Sequence, residues 1–349
     1  MSPVWAAIAR RATKNGRAWS GRTSFRRIRC IDSDIEDVTP VGRTRRGTPI
    51  EVFTPVVRAD RRIGVGTIEY HYFAGYSGGY KAVVPGVCSL RTIEANHSLM
   101  VQAGAESGQI DGNPVREDID EAGARVGVDF VLNVILDPAG RPRKAVGTHG
   151  ASSEEHHALS AVAGHPIEAH REGCAQLNAF GCAPLPWLAD VVLVSAGGFP
   201  KDINLYQAQK ALDHARLAVR PGGTIILVAE CPEGLGHGVF AEWMLSGQTP
   251  DQLIRRIRER FVLGGHKAAA VALAQKRASI ALVSSLPADR CRAMGLVPYA
   301  SPVEALADAL ARTPAPARVA LMPQGGSALP VVNSGEGSKP SQGSARSER

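Results

Sequence analysis

The stretch of sequence that decides the fold is DVVLVSAGGFPKDINLYQAQKALDHARLAVRPGGTIILVAE, residues 190–230. Residues 190–195 are an apolar run of strand length, residues 204–219 follow a helical pattern, and residues 224–230 are a second apolar run. The Pro-Gly-Gly sequence between the helix and the second run is a helix stop. A strand, a helix and a strand in this order are typical of a parallel sheet with helices packed on it. This stretch therefore predicts an α/β fold.

The same alternation extends in both directions from this stretch. Further strands are predicted at residues 51–57, 63–68, 129–137, 279–284 and 318–322, and further helices at residues 92–103, 166–177, 240–246, 250–261, 267–275 and 302–312. Residues 147–163 are predicted to be a surface insertion. Together the elements predict two α/β domains with mostly parallel sheets and a ligand cleft between them, because ligands of open α/β folds collect in such clefts.

The pattern also predicts where the domains begin and end. Residues 1–28 are a basic leader with a disordered composition, residues 29–185 form a first domain, and residues 186–314 form a second domain. Residues 315–333 hold a last strand, for which a return to the first domain is one interpretation. The Ser- and Gly-rich tail, residues 334–349, is predicted to be disordered.

Length and composition exclude several classes of protein. A chain of 349 residues with 44% hydrophobic and 21% charged residues suits two globular domains. The sequence contains no apolar run of the roughly 18 residues that a membrane-spanning helix needs. The six cysteines form no C-x-x-C pair, which argues against a zinc ribbon or a disulfide scaffold. The expected location is therefore the reducing cytoplasm.

The positive charge of the chain is confined to its beginning. The formal net charge is +7, and residues 1–31 contain seven Arg, one Lys and no acidic residue. The rest of the chain is close to neutral, so there is no electrostatic reason to expect a nucleic-acid partner. An organelle transit peptide and a nucleic-acid-binding arm are two interpretations of the leader. A leader from a mis-started or decayed reading frame is the third, and we favour it for a reason given below.

The segment richest in chemistry is GTIEYHYFAGYSGGYKAVVPGVCSLRTIEANH, residues 66–97. Gly75, Gly78 and Gly79 allow backbone conformations in which successive N–H groups bind an anion, and Ser77 adds a hydroxyl donor. Lys81 adds a cation directly after them. An ordinary glycine turn is the alternative interpretation, and the sequence alone leaves both open.

Histidine and polar side chains add candidates for binding and catalysis. His71 and His97 lie on either side of the glycine segment, and imidazole serves both as a transition-metal ligand and as a general base. Further along, Tyr206, Gln207 and Lys210 lie near one edge of a predicted helix. Gln and Lys together suit a carboxylate ligand, whereas a solvated helix face is the alternative.

Two long motifs resemble those of the nickel-pincer lactate racemase family, the LarA-like 2-hydroxyacid racemases and epimerases. The first is H-Y-F-A-G-Y-S-G-G-x-K with P-G and T-I-x-x-N-H, and the second is S-A-G-G-F-P-x-D-x-N-x-Y-Q-A-x-K. The likeness extends from about Arg29 to Val332. It implies two α/β domains with the cofactor in the cleft between them, and an isomerase activity.

The resemblance also implies a cofactor and the residues that hold it. The family attaches a nickel-pincer nucleotide covalently to a lysine, and the matching residue is Lys81. The matching nickel ligand is His97. Tyr206 matches a position near the cofactor, and His266 falls where some members place a Trp beside the pincer ring. Such a cofactor requires dedicated biosynthesis enzymes as partners.

The implied substrate is a small 2-hydroxy acid. His71 matches one of two catalytic histidines, which exchange the proton of the substrate hydroxyl while a hydride leaves C2 and returns to either face. Gln207 and Lys210 match residues that contact the cofactor or the substrate, and their donors would hold the carboxylate. Tyr80 stands where members acting on lactate often have Arg, so the particular acid stays open.

The sequence departs from the family pattern at its beginning. The family has a further region before the position of Arg29, which carries the second catalytic histidine, and residues 1–28 contain no histidine. This is why a mis-started leader is favoured. Two functions are therefore kept: a nickel-pincer racemase or epimerase, and an incomplete, non-catalytic homologue that binds nucleotide or cofactor without turnover. An incomplete first domain would also leave an exposed sheet edge and an apolar face, which predicts self-association.

Overall fold

The structure is a computed structural model that describes residues 31–136 and 158–332. The predicted leader, residues 1–28, and the predicted tail, residues 334–349, lie outside the described residues. So does most of the predicted insertion at residues 147–163.

The first half of the chain forms a mixed set of short strands and helices. In chain order the elements are β1 (Val38–Arg43), β2 (Pro49–Phe53), α1 (Thr54–Val57), β3 (Ile63–Ile68), β4 (Tyr70–His71), β5 (Gly75–Tyr76), α2 (Leu90–Ser98), α3 (Pro114–Val126), β6 (Phe130–Leu136), β7 (Ala158–Gly164), α4 (Pro166–Gly181) and β8 (Cys182–Leu185). Strand β6 is the centre of a three-stranded sheet, with β3 parallel to it and β7 antiparallel.

The second half alternates strictly between strands and helices. Its elements are β9 (Ala189–Ser195), α5 (Leu205–Ala218), β10 (Val219–Val228), α6 (Gly238–Met244), α7 (Pro250–Glu259), α8 (Gly265–Arg277), β11 (Ala278–Val283), α9 (Ala288–Ala293), β12 (Val297–Tyr299), α10 (Pro302–Ala311), β13 (Val319–Met322) and β14 (Leu329–Val332). Five of the strands form one sheet in the order β12-β11-β10-β9-β13, and every neighbouring pair is parallel. The predicted α/β class with mostly parallel sheets is confirmed.

Burial explains why the second sheet forms where the sequence predicted it. Val191, Val192 and Val194 of β9 are fully buried, as expected for a central parallel strand covered on both faces. Helix α5 presents buried small residues such as Ala208 and Ala211 to the core, which lets the helix approach closely. The apolar runs around residues 190–230 therefore become the centre of the core.

The last two strands lie in different sheets. Strand β13 pairs with β9 at the edge of the five-stranded sheet, and β14 pairs with β8 in a separate two-stranded sheet. The chain order of the large sheet thus reverses at β9, because β10 lies on one side of it and β13 on the other. The domain limits given by the sequence stay a prediction.

Two local predictions were wrong, and one helix was missed. Residues 54–57, predicted as the end of a strand, form α1, because Pro55 favours the first turn of a helix. Helix α3 was not predicted, although Asn113 caps its first turn and Gly127 ends it at φ +78°. Residues 158–163, predicted as part of a surface insertion, belong to β7, which pairs with β6 through the whole of its length.

One face of the three-stranded sheet is apolar and partly open to solvent. Phe130 is 40% and Leu132 39% exposed, whereas Val131 and Ile135 on the opposite face of β6 are completely buried. Among the described strands, β3 has a neighbour on one side only, since the sheet order is β3-β6-β7. An open edge beside an apolar face favours association with a second copy of the chain.

We therefore expect the protein to self-associate, and the double substitution Phe130→Thr with Leu132→Thr to weaken this association. Threonine keeps the strand preference while it removes apolar surface. Analytical ultracentrifugation over a concentration series measures the effect. Val303→Thr is the control, because Val303 is 78% exposed on α10. A wild-type chain that sediments as a monomer throughout the series would contradict the expectation.

The described residues contain neither a disulfide bond nor a helix that could span a membrane. Five of the six cysteines lie in the described ranges, and all five are free thiols. Within those ranges, no helix has the length and apolar character that a membrane crossing requires.

Candidate functional site

Three histidines selected from the sequence lie around one phenylalanine. The ring of Phe73 is 4.5 Å from that of His71 and 4.8 Å from that of His97, centroid to centroid, and both pairs are edge-to-face. The ring of His266 lies 6.4 Å from Phe73. Residues that are far apart in the sequence, on β4, α2 and α8, are thus brought together.

His71 is held as a neutral imidazole. Its Nδ1 accepts a hydrogen bond from the backbone N–H of Ala74 at 3.3 Å. Burial, with the charge of Lys81 second, holds the pKa of His71 well below its usual value. With Nδ1 accepting, the neutral ring carries its proton on Nε2 and can donate a hydrogen bond to a ligand oxygen. To accept a proton on Nε2, the ring must carry its own proton on Nδ1, and it then releases the Ala74 N–H.

His97 presents an unpaired nitrogen inside the protein. It lies in the last turn of α2, a helix whose first turn is capped by Ser89 through a hydrogen bond from the N–H of Thr92. The side chain of His97 is buried, and among the described residues its Nδ1 has no hydrogen-bond partner. Burial is the main cause that lowers its pKa well below the usual value, so the ring is neutral. A neutral imidazole with a free nitrogen is the form that binds a transition metal.

The side-chain amine of Lys81 is an unusually weak base. It lies in a 3₁₀ turn, Gly79–Ala82, that follows the glycine segment. Burial, together with the charges of Arg116 and Lys210, lowers the pKa of the Lys81 amine to about 8. A considerable share of the amine is therefore neutral near physiological pH, and the neutral form is the nucleophile.

The glycines of this segment are required by close packing. Gly75 has φ +74°, and a Cβ there would overlap the carbonyl oxygen of Gln109. A Cβ on Gly79, at φ +60°, would lie 2.9 Å from Cγ of His170. These contacts are with the protein's own atoms, so the glycines allow the segment to fold tightly beneath Lys81.

Most donors of the glycine segment are bonded within the protein. The hydroxyl of Ser77 donates to the carbonyl of Thr67 and accepts from the N–H of Glu69, both at 2.8 Å. The N–H of Gly79 donates to Oδ1 of Asn133 at 2.9 Å. Gly78 lies between Ser77 and Gly79. The Ser77 hydroxyl and the Gly79 N–H are therefore not free to bind an anion, which favours the glycine turn over the anion-binding interpretation.

A completely buried arginine supports the segment from below. Arg116 of α3 donates through Nε to the carbonyl of Ala74 at 3.3 Å and through Nη2 to that of Tyr76, and its Nη1 lies 3.6 Å from a carboxylate oxygen of Asp120. Its charge helps to lower the pKa values of both His71 and Lys81. The sequence analysis missed Arg116, because its helix was not predicted.

The lowered pKa of Lys81 predicts a dependence of stability on pH. Since the pKa falls from 10.5 to about 8 on folding, the unfolded state binds more protons between those values, and stability rises with pH across that window. Below pH 8 both states are protonated, and burial of the charge costs up to about 3 kcal/mol. Lys81→Met should therefore raise the free energy of unfolding at pH 7, and the gain should fade as the pH approaches 10.

Urea unfolding of both proteins at pH 7 and pH 9.5 measures this difference. Lys276→Met is the matched control, because Lys276 is an exposed lysine paired with Asp251 and its substitution should give no such pH-dependent gain. A gain for Lys81→Met that is equal at both pH values would contradict the prediction.

The second half of the site lies on the first two turns of α5. Asn204 caps this helix by accepting from the N–H of Gln207 at 3.1 Å. Gln207 is half-buried and Lys210 is exposed toward the cleft. The ring of Tyr206 points elsewhere: it stacks on His237 at 5.3 Å and meets Phe240 edge-to-face. Gln207 and Lys210 thus face the cleft, while Tyr206 anchors the helix.

A second buried lysine joins α5 to α8. The Nζ of Lys267 donates to the carbonyl oxygen of Tyr206 at 2.6 Å and lies 4.2 Å above the Tyr206 ring. Burial, then the charge of Lys210, lowers its pKa to about 7. The neighbouring His266 accepts from the N–H of Gly264 through Nδ1, and burial lowers its pKa to about 3.

Sequence reasoning missed Lys267 and Phe261, whose ring lies between those of His97 and His266 at 5.9 and 5.4 Å. A signal existed for Lys267, because GGHKAAAVALA places a charge at the start of an apolar helix. Tyr80, noted as a departure from the family pattern, is buried and packs against Gly123 of α3.

A cavity of about 620 Å³ opens between the two halves of the chain. It is lined from the first half by residues such as Glu69 and Tyr70, and from the second by Lys201, Gln207 and Lys210. The charge of Lys210 also lowers the pKa values of His71 and Lys81, although neither of these residues lines the cavity. The lysines and the amide of Gln207 in this lining can bind an anionic ligand.

Two domains of one family match the chain. One, described as the lactate racemase N-terminal domain, matches residues 7–108, and the other, described as the lactate racemase C-terminal domain, matches residues 186–330. The first match begins upstream of Arg29, within the basic leader, where the sequence motifs had not placed it.

Two curated relatives are lactate racemases. That of Thermoanaerobacterium thermosaccharolyticum is 32% identical over 230 residues, and that of Lactiplantibacillus plantarum is 30% identical over 226 residues. Each alignment covers 64% of this chain and 49% of the relative. The chain thus spans about half the length of the curated relatives it matches.

Solved structures agree on the fold. The lactate racemase apoprotein from Thermoanaerobacterium thermosaccharolyticum superposes with a TM-score of 0.83 at 27% identity, covering 92% of this chain and 76% of that chain. A Thermotoga maritima protein superposes with a TM-score of 0.64 at 17% identity, covering 88% of this chain and 79% of that chain. The second likeness concerns the fold alone.

Proposed function

The chain belongs to the lactate racemase (LarA-like) family, and from that premise we propose that it is a racemase or epimerase of a 2-hydroxy carboxylic acid that works with a nickel-pincer nucleotide held covalently on Lys81. The observation that carries the proposal is that His71 and His97 both contact the ring of Phe73 and that the charge of Lys81 acts on both.

The residues present fit such a cofactor. The buried Nδ1 of His97 has no hydrogen-bond partner in the part of the chain that the structure describes, and the Lys81 amine is partly neutral at physiological pH. Within the described ranges, no group of three or more His, Cys, Asp or Glu side chains could hold a metal ion. A single histidine ligand is enough only where a cofactor brings the remaining ligands with it. His97 would hold the metal, and Lys81 would carry the covalent bond.

When bound, the cofactor would supply a hydride acceptor and donor, which side chains cannot provide. The protein supplies the proton transfer and the orientation. In our proposal, His71 exchanges the proton on the C2 hydroxyl oxygen: with its own ring proton on Nδ1 and the Ala74 N–H released, its Nε2 takes the hydroxyl proton as the keto acid forms, and the resulting imidazolium returns that proton when the hydroxyl forms again. Its lowered pKa keeps the ring neutral between turnovers.

Gln207 and Lys210 would fix the carboxylate of the substrate. Both line the cavity, and the capped first turn of α5 sets their positions. A planar keto acid must present either face to the returning hydride without leaving, so a firm hold on its carboxylate is required. Lys267 supports that turn through its hydrogen bond to the Tyr206 carbonyl.

A racemisation assay tests the proposal. The chain is produced together with enzymes that make the cofactor and is incubated with single enantiomers of short 2-hydroxy acids, and the chirality at C2 is followed by circular dichroism. We expect inversion without exchange of the C2 hydrogen with solvent, because the hydride is stored and returned. Inversion with full solvent exchange at C2 would contradict a hydride mechanism.

The alternative function is a non-catalytic homologue that binds nucleotide or cofactor without turnover. Cofactor attachment without any inversion would support it. In either case we place the protein in the cytoplasm, with a hydroxy acid and the cofactor-biosynthesis enzymes as its partners.

A further inference from the structure

A second cavity, of about 480 Å³, lies between helices α7 and α8 and the last turn of α5. None of its lining residues lines the cavity between the two halves of the chain. Helix α5 carries Gln207 and Lys210 in its first two turns, whereas it contributes Arg216 to this second cavity from its last turn. The second cavity is therefore separate from the candidate site, and the proposed function uses none of its residues.

The lining residues of α7 and α8 follow a spacing of three and four positions, so each helix turns one face toward the cavity. They are Asp251, Ile254, Arg255 and Arg258 of α7 and Leu273, Lys276 and Arg277 of α8. An ion pair between Lys276 and Asp251 joins the end of α8 to the start of α7, and residues 260–264 join the other ends of the two helices. The cavity is thus a groove between two antiparallel helices.

The lining of this groove is strongly cationic. Five of the eight lining side chains are Lys or Arg, and only one, Asp251, is acidic. The chain beyond the leader is close to neutral overall, so the groove concentrates positive charge locally. Like charges three or four positions apart on a helix destabilise it. Such a cluster therefore costs stability unless an anion neutralises it.

The three arginines of α7 differ in their partners. Arg256 does not line the groove: it lies over the ring of Trp243 at 4.1 Å and pairs with Glu242 at 3.3 Å. Arg255 and Arg258 are exposed on the groove face, and among the described residues they have no hydrogen-bond or ion-pair partner. A free guanidinium group binds a carboxylate or a phosphate through two parallel N–H bonds. These two side chains are therefore available to a ligand.

Helix ends explain only part of this charge. Arg216, Lys276 and Arg277 lie in the last turns of α5 and α8, where a cation stabilises the negative end of the helix dipole. Arg255 lies in the middle of α7, so the dipole does not account for it.

Arg277 also keeps donors for a ligand. Its Nε donates to the carbonyl of Val219 at 3.0 Å, which fixes the guanidinium, while its two Nη atoms have no hydrogen-bond partner in the described part of the chain. The groove thus combines one anchored guanidinium of α8 with two free ones of α7.

We propose that this groove binds a small multivalent oxyanion, whose phosphate or carboxylate groups are held by Arg255, Arg258 and Arg277. A cavity of about 480 Å³ has the size of a small-molecule site and encloses such an anion more closely than a flat basic surface does. The proposal stands on the groove alone and does not depend on the proposed function.

Isothermal titration of the full chain at fixed ionic strength tests the site. The ligands are inorganic triphosphate, citrate and acetate, which represent several phosphates, several carboxylates and a single carboxylate. We expect one equivalent of triphosphate or citrate to bind at least about tenfold more tightly than acetate, which corresponds to about 1.4 kcal/mol. The tighter of the two identifies the group that the site prefers. Equal binding of all three ligands would overturn the proposal.

The double substitution Arg255→Met with Arg258→Met should weaken binding of the preferred ligand at least about tenfold, because it removes two charge-assisted contacts. Arg290→Met with Arg292→Met is the matched control, since it removes two exposed arginines of α9 that line neither cavity. Circular dichroism spectra like that of the wild type show that the variants are folded. Wild-type affinity in the first double variant would place the anion elsewhere on the chain and overturn the proposal.

Lys210→Met separates this groove from the cleft. Lys210 lines the cavity between the two halves of the chain and does not line the groove, so its loss should leave triphosphate and citrate binding unchanged. Loss of binding in Lys210→Met would assign the anion to the cleft and overturn the proposal. Because no step of the experiment requires turnover, its outcome is independent of whether the chain racemises a hydroxy acid.

Discussion

Lys81→Ala should abolish covalent loading of the chain. The variant, produced together with the cofactor-synthesis enzymes, should show the mass of the bare polypeptide and no bound nickel, whereas the wild type should show a mass increase and near-stoichiometric nickel. The reason is chemical: the cofactor needs a nucleophilic amine at this place, and burial together with Arg116 and Lys210 lowers the pKa of the Lys81 amine to about 8. Intact-mass spectrometry and metal analysis on the same samples measure both quantities.

The chain offers a matched control for this experiment. Lys267 is also a buried lysine of lowered pKa, about 7, and it lies on the opposite side of the site on α8. Lys267→Met should keep the mass increase, because its amine is occupied by the Tyr206 carbonyl. A mass increase that survives Lys81→Ala and disappears in Lys267→Met would assign the attachment to the wrong lysine and contradict the prediction.

The wild-type result also separates the two proposed functions. Loading with inversion at C2 supports the racemase, and loading without inversion supports the binding homologue. A wild-type chain that carries neither mass increase nor nickel, when the same host loads a complete relative, would contradict both proposals. The test thus examines the role of Lys81 before any assumption about substrate is needed.

The fold was predictable from sequence where one burial pattern dominated. The strands at residues 63–68 and 190–195 and the helix at residues 250–261 agree with β3, β9 and α7 to within two residues at each end. Continuous apolar runs identify buried strands, and α7 carries a complete capping box at Thr249 with Pro250 in its first turn. Local sequence chemistry and tertiary burial agree at these places.

The prediction failed where tertiary structure overrode a local signal. Helix α3 carries charged residues along much of its length, yet Arg116 within it is completely buried, because the carbonyls of Ala74 and Tyr76 satisfy its guanidinium. Strand β7 has seven residues, but most of them are small, so its pairing with β6 defines it more clearly than any apolar run in its sequence. Neither pairing nor a long-range hydrogen bond can be read from one sequence.

The residues of the candidate site likewise form two groups, those that the sequence predicted and those that it missed. His71, Lys81 and His97 came from motifs that are contiguous in the sequence. In the structure the rings of His71 and His97 contact Phe73, and the charge of Lys81 lowers the pKa of both histidines. The groups that were missed act from outside those motifs: Phe261 lies between His97 and His266, and Lys267 supports α5. A motif identifies the residues that do chemistry, whereas the residues that hold them become visible only in three dimensions.

His71→Asn should reduce turnover by a factor of roughly 10² to 10⁴, the usual contribution of a positioned general acid and base. Asparagine keeps a polar group of similar reach but cannot exchange a proton near neutral pH. Loading of Lys81 should persist, and the KM should change far less than kcat, because Gln207 and Lys210 still hold the carboxylate. Racemisation rates at saturating substrate, with intact mass measured on the same sample, give both values.

The pH profile makes this prediction specific to proton transfer. Because burial and Lys81 hold the pKa of His71 well below its usual value, the ring is neutral throughout the physiological range, and kcat should not show the ordinary histidine titration near pH 6.5. His165→Asn is the control, since His165 is exposed at the start of α4 and should leave rates unchanged. If His71→Asn retains wild-type kcat, or loses activity only through loss of loading, His71 does not transfer the proton, and that step must belong to another group in the cleft.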